Sequence, residues 1–336
     1  MSAALAHSPQ AKTAVRHVLA LNGAVFIVAA LLSLYFVGMR AELTNVFQPA
    51  SLASLVAHDA PTPFQYRLLV PTLVEWIHGR ELQAVSGIRA EETVAWIDFA
   101  CVLGTWAAMR ALIAGLGIGS VRSGALALLI FYALPFHYLF ARQAPLRFVW
   151  DMPAILFFSC GLLALQRRWW SAYYIVFALG TLNKETTLFL AGVQLLTTWG
   201  AIPRRIVAQH LAAQLAIWIA IKFALHYAFS ANPGVGSIPN VLEPNLRALL
   251  TPAALFSLAS VFGFLWIPVA AFHKQIADPF ARRALWVCLP YALGAFYVGS
   301  IVELRVWGEL IPLIALGVVE VFRGSGADSA SPRALP

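Results

Sequence analysis

Apolar runs long enough to cross a lipid bilayer follow one another along almost the whole chain. A transmembrane helix needs about 20 mainly apolar residues, because the hydrocarbon core is about 30 Å thick. Backbone polar groups in lipid must be satisfied within the segment, so such runs predict helices. They lie near residues 17–38, 93–116, 119–141, 149–166, 169–183, 185–200, 206–229, 250–272, 282–300 and 305–322. The sequence therefore predicts an all-α, polytopic transmembrane helical bundle of about ten spans.

The scarcity of charge excludes a soluble enzyme. Only 11% of the 336 residues are charged and 60% are apolar, whereas a soluble domain has about 25% charged residues to cover its surface. Cys101, Cys160 and Cys288 lie inside apolar runs and are predicted to be small core residues, not disulfide or metal ligands. No cofactor or metal site is predicted, although the sequence leaves a divalent cation open.

The distribution of basic residues predicts the orientation of the chain. If the N-terminus is cytoplasmic, the inner side receives clusters with almost no acids. These are Lys12, Arg16, Arg122, Arg167, Arg168, Arg204, Arg205, Lys274, Arg282, Arg283, Arg323 and Arg333. Cytoplasmic loops of membrane proteins carry such an excess. The excess over the outer side is modest here, and the acids sharpen it, because all but Asp278, Glu320 and Asp328 fall on or near the outer side. We therefore expect a multi-pass protein of the inner (plasma) membrane with both termini cytoplasmic. The net charge of +8 then indicates anionic lipid as a partner instead of nucleic acid.

The predicted domain organisation is simple. Residues 1–16 form a cytoplasmic tail, 17–323 the transmembrane domain, and 324–336 a Ser/Ala/Gly/Pro-rich cytoplasmic tail that is predicted to be disordered. The longest loop, 39–90, lies on the outer side. Its apolar segments 48–57 and 68–78 are too short to span and predict helices that lie at the membrane interface.

The middle of this loop combines an acid, two prolines and an arginine. Pro61 and Pro63 hold the chain extended, and Pro71 suits the first turn of a helix. Asp59 and Arg67 flank Gln65 and Tyr66. Long ordered loops usually carry function, so these four residues are site candidates. The alternative is that Arg67 only anchors an interfacial helix to lipid phosphate.

Two further polar stretches interrupt apolar sequence on the predicted outer side. Arg147 and Asp151 are four residues apart at the end of a span, and Asn183-Lys184-Glu185 separates two apolar runs. Charges in a bilayer cost about 2.5–3.5 kcal/mol on insertion scales, so they are functional candidates by default. The alternatives are local ion pairs, Arg147 with Asp151 and Lys184 with Glu185.

The last polar stretch precedes the final span. Glu303, Arg305 and Glu309 place three charges within seven residues beside an apolar run, which is difficult to explain as solvated surface. Arg305 and Glu309 have the i,i+4 spacing of a helical ion pair, as do Lys222 and His226 in the 206–229 run. We predict that all these charged stretches converge on one face of the protein.

Three motifs together resemble a known family. They are Phe64-Gln-Tyr-Arg67-Leu-Leu-Val-Pro71, Leu182-Asn-Lys-Glu185-Thr, and Glu303-x-Arg305-x-x-x-Glu309-x-x-Pro312. The pattern is similar to bacterial polytopic membrane proteins grouped with the GT-C-type glycosyltransferases of the cell envelope. The resemblance implies an inverting enzyme with its site on the non-cytoplasmic face. It would take a sugar from a polyprenyl-phosphate carrier and pass it to an extracytoplasmic or lipid-linked glycan acceptor.

The resemblance also implies roles for the candidate residues. A carboxylate must take the proton of the acceptor hydroxyl, and cations must stabilise the departing phosphate. Such enzymes commonly carry an acid soon after the first span, often in an Asp-rich motif; here that place holds only Glu42, and Asp59 follows. Asp59 is therefore the predicted base and Glu42 the second candidate. The predicted substrate-binding residues are Gln65, Tyr66, Arg67, Arg147, Asp151, Asn183, Lys184, Glu185, Glu303, Arg305 and Glu309, with the lipid phosphate on Arg67, Lys184 and Arg305.

Two other function classes remain open from the sequence. A transporter or flippase of a lipid-linked sugar would use the same charges without chemistry. Transporters tend to place ions at the bilayer midplane and often have inverted repeats, whereas these charges cluster at one face and no repeat is evident. A non-catalytic membrane scaffold would tolerate single substitutions of the outer charges.

Overall fold

The computed structural model describes residues 9–78, 87–140, 146–234 and 241–328, and this part of the chain is almost entirely helical. The α-helices are α1 Pro9–Leu43, α2 Leu52–Val56, α3 Leu69–His78, α4 Gly87–Ala114, α5 Ser120–Ala127, α6 Leu129–Tyr138, α7 Asp151–Gln166, α8 Trp170–Asn183, α9 Phe189–Thr198, α10 Arg204–Ala228, α11 Leu242–Ala248, α12 Pro252–Ala259, α13 Trp266–Ala271, α14 Pro279–Ala284, α15 Cys288–Val298 and α16 Ile311–Asp328. The predicted all-α class is confirmed.

The apolar runs differ in how continuous their helices are. Five of the ten form one helix each, namely α1, α4, α7, α8 and α10. The run 250–272 is broken between α12 and α13, where Phe262 and Gly263 adopt positive φ angles of 60° and 61°. A Cβ on Gly263 would lie 2.6 Å from the Tyr132 ring, so only glycine fits this approach.

Within the described residues, four helical segments are long and apolar enough to cross a membrane. They are Val15–Leu43, Ala90–Ala114, Ser120–Tyr138 and Arg204–Ala228. Two of them, α1 and α10, keep large apolar side chains on the outside, including Phe26, Leu31 and Phe223, which are 48%, 60% and 70% exposed. A water-soluble protein buries such a continuous surface, so these helices are compatible with a membrane protein. The count of ten spans stays a prediction.

The interior is organised around α4 and α7. α4 packs against α7, α5 and α1, while α7 also packs against α8, and α16 lies against α4, α6 and α13. The main core includes the fully buried side chains of Trp106, Met109, Leu112, Phe158 and Phe177. This packing brings the first residues of α7, the end of α8 and the start of α16 to one end of the bundle.

The long loop after α1 folds over that end with a small core of its own. Leu52, Leu55, Val70 and Val74 pack there with Trp150. Residues Asn45–Val46 pair in parallel with Leu146–Arg147 and tie the loop to the segment before α7. The two short helices predicted within 48–57 and 68–78 are confirmed as α2 and α3, and Pro71 occupies the first turn of α3.

The ends of the predicted domains are only partly covered. α16 continues to Asp328, so the boundary predicted at residue 324 falls inside a helix. Residues 1–8 and 329–336 of the two predicted tails, and 79–86 of the long loop, lie outside the described residues.

Candidate functional site

One group of charges forms a chain of alternating sign that begins at deeply buried side chains. Arg40, at the end of α1, contacts Asp98 of α4 through Nη1 and Asp151 of α7 through Nη2, the latter at 3.2 Å. Arg305 Nη1 lies 3.8 Å from the other oxygen of Asp151, and its Nη2 lies 2.6 Å from Glu303. The exposed fraction of the side chain rises along this chain, from 1% at Arg40 and 0% at Asp151 to 16% at Arg305 and 38% at Glu303. Glu303 is therefore the solvent-facing end.

Glu185 is the centre of a second cluster. Arg67 binds its carboxylate with two nitrogens, Nη2 at 2.6 Å and Nε at 3.3 Å, and Lys222 of α10 lies 3.7 Å from the same group. Glu185 lies in the turn between α8 and α9. Burial opposes ionisation of this carboxyl, but the charges of Arg67 and Lys222 and the Arg67 hydrogen bond outweigh it and hold its pKa well below its usual range.

A third pair is almost fully enclosed. Lys184 Nζ lies 2.6 Å from Glu309, and the two side chains are 8% and 3% exposed. The Thr186 hydroxyl donates to the same Glu309 oxygen at 2.7 Å. We call these three groups together the ion-pair network: Arg40, Arg67, Lys184, Lys222 and Arg305 with Asp98, Asp151, Glu185, Glu303 and Glu309.

A break after α8 joins the three groups. Lys184 adopts an extended backbone conformation, with φ −160° and ψ 138°. Successive side chains of an extended chain point in opposite directions, so Lys184 and Glu185 reach different partners. Asn183 donates to the Trp150 carbonyl at 3.0 Å, which fixes the break against the start of α7.

Aromatic rings hold two of the arginines. The guanidinium of Arg67 lies 4.4 Å from the Trp150 ring centroid, and that of Arg305 lies 4.0 Å from the Phe148 centroid. Phe64 stacks on Phe148 at 6.1 Å and on Trp150 at 6.2 Å between ring centroids. Cation–π contacts of this kind are attractive and orient the guanidinium plane, so both arginines are held in defined positions.

Several buried polar atoms beside the network make no hydrogen bond to the residues that the structure describes. They are Asp151 Oδ1, Arg305 Nε, Trp150 Nε1 and Asn183 Oδ1. Most buried polar groups in proteins are satisfied, and each exception calls for an explanation. A polar ligand bound near Trp150 would supply hydrogen-bond partners for these atoms.

The local ion pairs considered as alternatives for two stretches are wrong. Arg147 binds Glu91 at 2.9 Å, and Asp151 binds the two arginines named above. Lys184 and Glu185 likewise bind different partners. Tertiary contacts replace the local pairs because each of these charges lies within reach of an opposite charge on another element.

The i,i+4 spacings of Arg305 with Glu309 and of Lys222 with His226 also do not correspond to pairs in the structure. Arg305 binds Glu303 and Asp151, while Glu309 binds Lys184. His226 does not pair with Lys222; its Nδ1 lies 3.1 Å from the Tyr66 hydroxyl. Tyr66 is thereby connected to the end of α10, which closes one side of the site.

Six predicted site residues are not members of the network. Tyr66, Arg147 and Asn183 make the contacts given above, and the other three are Gln65, Asp59 and Glu42. Gln65 is fully buried and is used within the loop, where it accepts from the Ala60 amide at 3.1 Å and donates to the Leu55 carbonyl at 3.1 Å. Asp59 and Glu42 are exposed, and neither forms an ion pair within the described part of the chain. The structure does not bring either acid into contact with the network.

Sequence reasoning missed Arg40, Asp98 and Lys222 as members of the site. Asp98 and Lys222 lie inside apolar runs of spanning length, and a charge in such a position is itself a signal. Arg40 is the first charge after the first run. All three were visible as isolated charges, but their partners come from other helices.

The network carries no net charge. It contains five cations and five carboxylates, each cation paired with at least one carboxylate. An anionic ligand must therefore replace a carboxylate or bring its own counter-charge. Among the described residues, no group of three or more His, Cys, Asp or Glu side chains is arranged to hold a metal ion.

Comparisons of the chain with protein-family models, with curated proteins and with solved structures found no match.

Proposed function

We propose that this protein is an integral-membrane glycosyltransferase of the inner membrane. It moves a sugar from a polyprenyl-phosphate carrier to an extracytoplasmic or lipid-linked glycan acceptor, with both termini cytoplasmic. The observation that carries the proposal is the convergence of Arg67, Lys184 and Arg305 at one end of an apolar bundle. Unsatisfied polar atoms lie beside these cations.

The contacts suggest where the lipid phosphate enters. Lys184 is enclosed with Glu309, and Arg67 is bound by two nitrogens to Glu185. Arg305 instead binds Glu303 through a single nitrogen, and among the described residues Glu303 has no second cation. An incoming phosphate therefore replaces Glu303 on Arg305 at the lowest cost. Arginine forks suit phosphate oxygens, and charge that grows on the leaving phosphate is stabilised there.

The same contacts separate candidate bases from structural acids. A carboxylate bound by two cations, such as Glu185, is a poor proton acceptor because its charged form is already stabilised. Asp59 is exposed and has no ion pair within the described residues. Its turn is fixed by Gln65 and by Asn232, which donates to the His58 and Ala60 carbonyls at 2.8 Å and 2.9 Å. Asp59 is therefore assigned as the base.

The test is release of free polyprenyl phosphate by the purified protein. Polyprenyl-phosphate sugars are presented in detergent, and the free carrier is measured with and without glycan acceptors. Wild-type release supports the proposal. Lipid binding without release from any donor supports a transporter instead, and neither binding nor release supports a scaffold.

Replacing Arg305 with Ala is expected to weaken donor use. The loss of a cation that contacts phosphate raises the donor KM about tenfold or more, since a charge-assisted hydrogen bond contributes about 1.5–3 kcal/mol. Arg247→Ala is the matched control, because Arg247 is 78% exposed and, among the described residues, pairs only with the exposed Glu243. Unchanged donor KM and kcat in Arg305→Ala would leave Arg305 a purely structural role.

Replacing Glu303 with Gln is expected to have the opposite effect. This change removes the carboxylate that competes with phosphate for Arg305, while Asp151 still positions the guanidinium. Donor KM should fall by about threefold to tenfold. This change corresponds to about 1 kcal/mol, the free energy of a partly exposed ion pair. Glu243→Gln is the control, and a raised donor KM in Glu303→Gln would show that Glu303 contacts the sugar instead.

A further inference from the structure

A second surface, which combines apolar and basic residues, lies at the end of the bundle opposite to the ion-pair network. A cavity of about 660 Å³ opens between the turn after α4, helix α5 and the end of α16. From Asp98 in the network to Ala114 at the end of α4, the helix rises about 24 Å. The cavity and the network are thus separated by a distance close to the hydrocarbon thickness of a bilayer.

The walls of the cavity are apolar and its mouth is basic. Leu126, Leu129, Val318 and Phe322 line it together with Arg122 and Arg323. The Phe322 side chain is 66% exposed. Such a combination of an apolar groove and cations at its edge matches a phospholipid, whose acyl chains take the groove and whose headgroup takes the cations.

The positive charge of this region is only partly cancelled by internal ion pairs. Arg323 binds Glu320 at 2.9 Å and donates to the Leu116 carbonyl at 2.5 Å. Glu320 is fully buried and also accepts from the Asp278 amide at 2.8 Å. Arg122 is exposed and forms no ion pair with the described residues. Arg167 lies close by, donating to the Ala111 carbonyl at 3.4 Å, so the mouth keeps a positive charge.

We propose that this cavity is a binding site for an anionic phospholipid of the cytoplasmic leaflet. The headgroup phosphate contacts Arg122 and Arg323, and the acyl chains lie along α5 and α16 against Leu129 and Phe322. The inference rests on the membrane location, and it does not depend on sugar transfer at the other end of the bundle.

Lipid adducts on the detergent-purified protein test the proposal by native mass spectrometry. The probes are phosphatidylglycerol, phosphatidylcholine of the same acyl chains, and water-soluble glycerol phosphate. Wild-type protein should bind phosphatidylglycerol more tightly than phosphatidylcholine and should not bind glycerol phosphate measurably. Arg122→Gln should weaken phosphatidylglycerol binding about fivefold, the amount expected for one basic residue near an anionic lipid surface.

Two variants make the result specific. Arg205→Gln is the charge-matched control, because Arg205 is exposed on the same predicted side and does not line the cavity. Phe322→Ser shortens the apolar wall and should weaken phosphatidylglycerol binding without unfolding the protein. Equal losses in Arg122→Gln and Arg205→Gln would show a diffuse basic surface and overturn the site. Binding of glycerol phosphate as tight as that of the lipid would overturn the lipid assignment. Because no sugar donor is present, a negative result here leaves the proposed transferase activity untouched.

Discussion

Asp59→Asn should lose about 100-fold to 10,000-fold of the transfer rate, the usual contribution of a positioned general base. The amide keeps the size of the carboxylate and removes only its ability to take the acceptor proton. Asp59 is exposed and is not ion-paired within the described chain. The free energy of unfolding should therefore change by no more than about 0.5 kcal/mol. The measurement is carrier release at saturating donor, with thermal unfolding recorded on the same sample.

Two other acids make this test decisive. Glu42→Gln removes the second candidate, which is exposed near the end of α1. Glu92→Gln is the matched control, since Glu92 is an exposed acid on α4 that has no assigned role. Loss of release in Glu42→Gln with full release in Asp59→Asn would assign the base to Glu42. Full release in both variants would remove both acids from the mechanism.

Breaking the enclosed pair between Lys184 and Glu309 should destabilise the protein by about 3–5 kcal/mol. Either Lys184→Met or Glu309→Leu leaves a charge that is less than one-tenth exposed without its partner, and that cost is typical of an uncompensated buried ion. The double variant Lys184→Met with Glu309→Leu removes both charges and should recover most of the stability. The measurement is the unfolding free energy of the single and double variants in detergent, analysed as a double-mutant cycle.

An exposed pair provides the comparison. Arg247 and Glu243 are 2.5 Å apart, but 78% and 72% exposed, and exposed pairs contribute only about 0–1 kcal/mol. Losses of this small size in the Lys184 or Glu309 single variants would contradict the enclosed geometry. The double variant also separates stability from function. A folded protein that no longer binds donor would assign the pair to donor binding, whereas a fully active one would leave the pair a structural role.

Much of the fold follows directly from local sequence. The long apolar runs predicted α1, α4, α7, α8 and α10, because an uninterrupted run in an apolar solvent has only the helix to satisfy its backbone. The short helices α2 and α3 also followed from segment length, and Pro71 marked a first helical turn. The break inside the run 250–272 was not predicted. At Phe262 and Gly263 the break depends on close packing against Tyr132, a residue more than one hundred positions away.

The candidate site divides in the same way. Isolated charges in apolar sequence identified Arg67, Asp151, Lys184, Glu185, Arg305 and Glu309 as special, because an unpaired charge in lipid is costly wherever it lies. Their pairing could not be predicted from spacing. Each i,i+4 alternative was a plausible local solution, and in each case a partner on another helix or loop replaced it.

By itself, the sequence determined that the chain is an all-α apolar protein and that its charges gather in a few short stretches. These properties depend only on the composition of each segment and on the cost of exposing a backbone or a charge to lipid. The tertiary structure alone decided that Asp98, Arg40, Asp151, Arg305 and Glu303 form one chain of alternating charges. Such contacts join residues as far apart as positions 40 and 305, and their formation depends on how α1, α4, α7 and α16 pack.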